Sequence, residues 1–143
     1  MLHKILSELN PYNTKLVAVS KTKSDNEIME LYNQGQRIFG ENRVQELVQK
    51  AESLPKDIQW HEIGHLQTNK IKYIAPFIDT IHAVDSYKVL KEINKQAARH
   101  DRIINCFLQC KIAEEDTKFG LDLETAEDLL KNLEENPRPN IRI

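Results

Sequence analysis

The sequence predicts an α/β fold built on a parallel sheet, and three observations lead there. Short apolar runs alternate with amphipathic helical patterns, and the runs recur at nearly constant spacing. Most runs are apolar without polar alternation, as strands covered on both faces of a parallel sheet are. Short loops join the two kinds of segment, the mark of βαβ units with right-handed crossovers. An open doubly wound sheet and a closed barrel both satisfy this pattern.

The strands are expected over Leu16–Lys21, Ile38–Glu41, Ile58–Gly64, Thr80–Val84 and Ile103–Ile112. The first intervening helix opens on Ser24-Asp25-Asn26-Glu27, a capping box in which the Ser24 hydroxyl and the Glu27 carboxylate satisfy first-turn amides. Ile28, Leu31 and Tyr32 share one face of it, and Gly35 suits a left-handed C-cap. The second helix buries Val44, Leu47, Val48 and Ala51 and ends before Pro55. A third begins near Thr68, with Ile71, Ile74 and Ala75. A fourth starts at Ser86 and shows Val89, Leu90, Ile93 and Ala97. A fifth, around Glu124–Glu135, has Ala126, Leu129, Leu130 and Leu133 in phase. Ile141-Arg142-Ile143 reads as the start of a sixth strand.

With 143 residues the chain is expected to be a single domain with its own core. It is 40% hydrophobic and 29% charged, with a formal net charge of −2. Lysines and arginines are scattered, so no basic stripe marks a nucleic-acid footprint. No stretch approaches the ~20 apolar residues of a membrane span, and the N-terminus is too polar for a secretory signal. Cys106 and Cys110 lie four apart in a strand-like run. Their side chains are then about 13 Å apart along the chain, beyond disulfide reach. They read as reduced, buried thiols of a cytoplasmic protein.

Chemistry in parallel α/β folds sits at the C-terminal ends of the strands. There the sequence places Ser20-Lys21-Thr22, Glu41-Asn42, Gly64-His65-Leu66-Gln67, Asp85-Ser86, and finally Glu114, Glu115, Asp116 and Lys118. His61 lies within the third strand. Each group has a plainer reading: Lys21 as the first solvated residue of a loop, Asp85-Ser86 as an N-cap, Glu41-Asn42 as a cap for the second helix. His61 and His65 have the count of a metal pair, but Gly64 and the strand pattern argue against the helix that spacing needs, so no metal is expected. In the fifth run Gln109 and Lys111 alternate with Cys106, Leu108 and Cys110, and the pattern does not decide which set faces inward. The first strand is followed by Ser-Lys-Thr-Lys, not a Gly-rich phosphate loop, which disfavours the nucleotide-binding versions of the fold.

Several motifs, in order, carry a family resemblance. They are Leu16-Val17-Ala18-Val19-Ser20-Lys21-Thr22-Lys23, Phe39-Gly40-Glu41-Asn42 with Val44-Gln45-Glu46, and Trp60-His61 with Ile63-Gly64-His65-Leu66-Gln67 and Asn69-Lys70. Val84-Asp85-Ser86 and the Lys118–Gly120 turn follow. Nearly the whole chain resembles the N-terminal part of the pyridoxal-phosphate homeostasis proteins, which are single barrels similar to the N-terminal domain of alanine racemase. The resemblance implies a parallel (β/α) barrel of TIM type that is incomplete here, with about five and a half of the eight units. It implies pyridoxal 5′-phosphate bound as a Schiff base on Lys21, with Asn42, His61, His65 and Gln67 near the cofactor and no catalytic residues. An attacking amine must be neutral, and lysine starts near a pKa of about 10.4. Partial burial at a strand end, or a nearby cation, would lower it.

The chain departs from the family pattern in three places: a shorter leading helix, Lys111 where a small polar residue is usual, and no counterpart of the last strands. Those strands carry the segments that grip the cofactor phosphate, in keeping with phosphate sites after strands seven and eight of such barrels. The implied function is cofactor homeostasis without catalysis, as a monomer in the intact form. Free sheet edges in this shorter chain invite self-association. The alternatives are a racemase-like enzyme, which needs acid/base groups on both faces of the cofactor, and a fragment with impaired binding.

Overall fold

In the computed structural model, residues 1–112 and 119–143 are described; the expected polar group Glu114, Glu115, Asp116 and Lys118 lies outside them. The elements run α1 (Leu2–Leu9), β1 (Ala18–Val19), α2 (Asp25–Asn33), β2 (Ile38–Glu41), α3 (Val44–Ser53) and β3 (Gln59–Glu62). A 3-10 turn at Thr68–Lys70 then leads into α4 (Ile71–Ile74), β4 (Thr80–Val84), α5 (Tyr87–Arg99), β5 (Ile104–Leu108), α6 (Leu123–Glu135) and β6 (Ile141–Arg142).

All six strands are parallel, and each pairs with the next in sequence, in the order β1-β2-β3-β4-β5-β6. A doubly wound sheet would reverse its strand order at a switch point. Sequential order is that of a (β/α) barrel, and here the sheet is open, since β1 and β6 each have one neighbour among the described residues. The core lies between the sheet and the helices. Phe39, Trp60, Ile81 and Cys106 from the strands pack with Leu47, Ile74, Leu90 and Ile93 from the helices. The opposite, inward face is open: Val19 and Phe107 are each 54% exposed, the large apolar side chains a closed barrel would cover.

Local chemistry explains most boundaries. Ser24 Oγ accepts from the Glu27 amide while the Glu27 carboxylate accepts from the Ser24 amide, and Gly35 follows α2 at φ 105°. Ser86 Oγ accepts from the Val89 amide to start α5, and Asp122 accepts from Thr125 to start α6. α4 is a single turn after the 3-10 segment, and Pro76 stops it. β1 is shorter than its apolar run, because the chain turns sharply at Ser20–Lys23, with Thr22 at φ 65°.

Two expectations change. Glu41 and Asn42 do not cap α3, whose N-cap is Arg43 without a side-chain bond; the Glu41 carboxyl is turned under the helix instead. Cys106 is buried, but Cys110 is exposed, because β5 ends at Leu108 and Cys110 holds only an isolated bridge to Leu121. Burial pushes the Cys106 thiol up to about 12, so it stays unreactive. A thiol reagent at pH 8 should therefore modify Cys110 rapidly and Cys106 only on unfolding. Two equally fast equivalents, counted by mass spectrometry, would contradict this packing.

Candidate functional site

Lys21 sits at the second position of the Ser20–Lys23 turn, where Lys23 donates its amide to the Ser20 carbonyl at 3.0 Å. Its side chain is exposed, so the partial burial foreseen for it is not found. What holds its backbone is beneath it. Lys50, on the inner face of α3 one turn after core residue Leu47, has a side chain 7% exposed. Its ammonium donates to the Ser20 carbonyl (2.7 Å), Glu41 Oε2 (2.9 Å) and Glu46 Oε1 (2.7 Å). All three ammonium protons are thereby used. Glu46 Oε1 also accepts from the Thr22 amide at 2.6 Å, and the Ser20 hydroxyl donates to Glu41 Oε2. One buried cation thus grips the backbone on both sides of Lys21, directly at Ser20 and through Glu46 at Thr22.

The electrostatics are balanced on that cation. Burial pushes the Glu41 carboxyl above its ordinary range, and the bonds from Ser20 and Lys50 pull it back. Glu46 is held below the ordinary range, chiefly by the bond from Lys50. Glu62 is Glu41's register neighbour on β3 and equally buried, but no cation among the described residues bonds to it; its Oε1 accepts from the Gly64 amide at 3.1 Å. Burial pushes its carboxyl to about 8. Glu41 Oε1 and Glu62 Oε2 have no hydrogen-bond partner among the described residues.

The raised Glu62 carboxyl has a consequence for stability. The native chain keeps a proton there that the unfolded chain has released, so stability falls as pH rises from the ordinary carboxylate range to about 8. The slope reaches about 1.4 kcal/mol per pH unit. His61 and His82, both pushed down by burial, act oppositely but only below their ordinary value of 6.5. Glu62 should therefore dominate from pH 6.5 to 8, and Glu62→Gln should flatten that stretch in urea titrations. An unchanged slope would show that Glu62 is ionised.

The other expected residues separate into two groups. His61 faces the open inner side of the sheet, where its Nδ1 lies 2.8 Å from Nε2 of His82 and its Nε2 lies 3.4 Å from Asp79. Edge-on contact of His82 with Phe107 continues this cluster. His61 pairs with Gly40 on one side, level with Val19 two residues before Lys21, and with Thr80 at the start of β4 on the other. Asn42, His65 and Gln67 do come together, lining a cavity of about 580 Å³ between α3 and α4. Gly64 makes this possible, because a Cβ there would stand 2.5 Å from the Asn42 carbonyl oxygen. The His65 ring stacks on Phe119 at 3.7 Å. No group of three metal-ligating side chains occurs among the described residues.

Sequence reasoning missed Lys50, Glu46, Glu62 and His82. The signal was present in the periodicity: Glu41 falls two residues after Phe39 and so on its buried side, and Lys50 falls three after Leu47.

Comparisons with known proteins follow the same lines. Residues 2–143 match the family model of the alanine racemase N-terminal domain. The chain is 37% identical over 130 residues to the pyridoxal phosphate homeostasis protein of Aquifex aeolicus, covering 90% of this chain and 56% of that one. With the Escherichia coli protein of the same name it shares 35% over 137 residues, 93% of this chain and 58% of the other. The chain thus spans little more than half the length of these relatives. PipY of Synechococcus elongatus, solved without PLP, superposes with a TM-score of 0.91 at 35% identity, over 99% of this chain and 66% of PipY. The PLP-bound form gives 0.84 at 32% identity, over 100% of this chain and 68% of PipY. A histidine racemase from Leuconostoc mesenteroides, at 13% identity and a TM-score of 0.72 over 96% of this chain and 37% of the other, shares the fold.

Proposed function

This chain belongs to the family of the alanine racemase N-terminal domain, and from that premise we propose that it is a cofactor-homeostasis module that holds pyridoxal 5′-phosphate covalently through Lys21. The observation that carries the reading is the buried Lys50 clamp, which fixes the backbone on both sides of an exposed amine. Such a clamp is costly to build for an ordinary surface loop, since each buried ion must be compensated. The relatives of this length of match bear the homeostasis name, and PipY has been solved with the cofactor bound.

The residues present suit the group. An apolar inward strip formed by Val17, Val19 and Ile63 around Gly40 adjoins the turn, which suits a planar ring. Asn42 leaves the neighbouring strand β2 at the same end as Lys21 leaves β1 and supplies polar contacts at the rim. When bound, the cofactor supplies an aldehyde for amines and an electron-withdrawing ring. This chain's own residues position the Lys21 amine and leave it open to solvent. His61, the register partner of Gly40, joins Lys21 and Asn42 among the proposed cofactor contacts, while His65 and Gln67 line the cavity between α3 and α4.

The proposal extends to an absence of turnover and to a cytoplasmic setting. Among the described residues no helix is long and apolar enough to cross a membrane. Among the described residues β1 and β6 each have one strand neighbour, and a polypeptide of residues 1–143 alone should self-associate through those edges, where a full-length relative is expected to be a monomer. Adding the cofactor should produce the visible absorbance of a lysine-bound pyridoxal, absent in Lys21→Ala, with no solvent exchange of an amino acid's α-proton. Steady α-proton exchange would favour the racemase-like alternative.

A further inference from the structure

Two large grooves flank α3, and they differ in charge. The one between α2 and α3 is lined by Asp25, Glu27, Glu46 and Glu52 against Lys23 and Lys50. The one between α3 and α4, of about 580 Å³, carries the cations Arg43 and Lys70, and no carboxylate from the described residues lines it, Asp85 standing 3.7 Å behind the lining residue His65. The rest of its lining is the apolar Val44, Val48 and Leu66, the exposed ring of Tyr73, and the neutral amides of Asn42, Gln45 and Gln67. The Lys72 ammonium stands 5.2 Å from the centre of that ring, and that of Lys70 6.0 Å.

We propose that this second groove is a binding site for a small aromatic anion, a phosphate or carboxylate carried on a planar ring, separate from the Lys21 site. Arg43 and Lys70 take the charged end, and Arg43 offers paired donors that match a phosphate or carboxylate edge. The ring lies against Tyr73 and the two valines, an apolar wall with a few convergent polar groups, as small-molecule sites usually have. Gln45 and Gln67 supply neutral donors. Lys21 and its turn are not among the lining residues, so occupancy requires no condensation with an amine. The inference stands whether or not Lys21 binds a cofactor.

The probe is phenyl phosphate, which has a ring and a dianion but no aldehyde, titrated into the whole chain at millimolar concentration with amide shifts recorded by NMR. Shifts are expected at Val44, Gln67, Lys70 and Tyr73. The double substitution Arg43→Gln with Lys70→Gln should weaken binding about tenfold or more. Both positions are exposed, so the fold is retained, and an unchanged urea midpoint verifies that. Lys21→Ala should leave the affinity as it was, and neutral benzyl alcohol should bind more weakly than phenyl phosphate. Absence of shifts in the groove would overturn the proposal. So would equal affinity in the double variant, or loss of binding in Lys21→Ala, which would place the anion at the Lys21 rim.

Discussion

Lys50→Met is expected to destabilise the chain by about 3–5 kcal/mol, the usual cost of removing one partner from a buried ion pair. Domains of this size have roughly 5–15 kcal/mol in all, so the variant should sit near the edge of folding. The cost comes from what remains behind: Glu41 stays buried without its counter-charge, and the Ser20 carbonyl and Glu46 lose their donor. The methionine side chain replaces the volume but none of the bonds. Urea unfolding measures the loss, and Glu41→Gln in the same chain should restore part of it by removing the stranded charge. At a urea concentration where the single variant is still folded, Lys21 should also label more slowly with pyridoxal phosphate. A loss below about 1 kcal/mol, the range of exposed pairs, would mean that the cluster is solvated.

A polypeptide of residues 1–143 alone should retain the cofactor about two to six decades less tightly than full-length relatives do. Barrels of this type place phosphate groups on the loops after strands seven and eight, and this chain's sheet runs from β1 to β6. A hydrogen bond to a charged group contributes about 1.5–3 kcal/mol. Two or three missing donors then amount to roughly 3–9 kcal/mol, which converts to that span of affinity. Prolonged dialysis, followed by absorbance, should strip this chain while a full-length relative stays loaded. Equal retention would mean that the phosphate is held by groups within residues 1–143.

Much of the fold was legible because local chemistry and packing agree. The runs Ile38–Glu41 and Thr80–Val84 are strands with the expected bounds, since both are covered by helices on one side and end at polar turns. The Ser24 box and the Ser86 cap formed as their residues dictate. Where the reading failed, long-range contacts had decided. β1 stops early because the α3 residues Glu46 and Lys50 pull the Ser20–Thr22 backbone into a turn. That partnership spans 24 and 30 positions in sequence and leaves no local trace. Lys50 and Glu62 were passed over because charged residues are exposed by default, whereas both are buried here. His61 faces the inner side of the sheet, as strand alternation opposite buried Trp60 requires. Of the candidate site, the place of Lys21 just past the first strand and the convergence of Asn42, His65 and Gln67 were visible in sequence. The clamp that positions the lysine was not.

The proposed role of Lys21, to hold the cofactor covalently, leaves a chemical mark that can be located. Borohydride reduction of the chain mixed with pyridoxal 5′-phosphate, followed by peptide mass mapping, tests it directly. A single dominant pyridoxyl group on Lys21 is expected, absent from Lys21→Ala prepared at equal yield. Label that survives that substitution, or that settles on Lys23 or Lys111 in the unaltered chain, would contradict it.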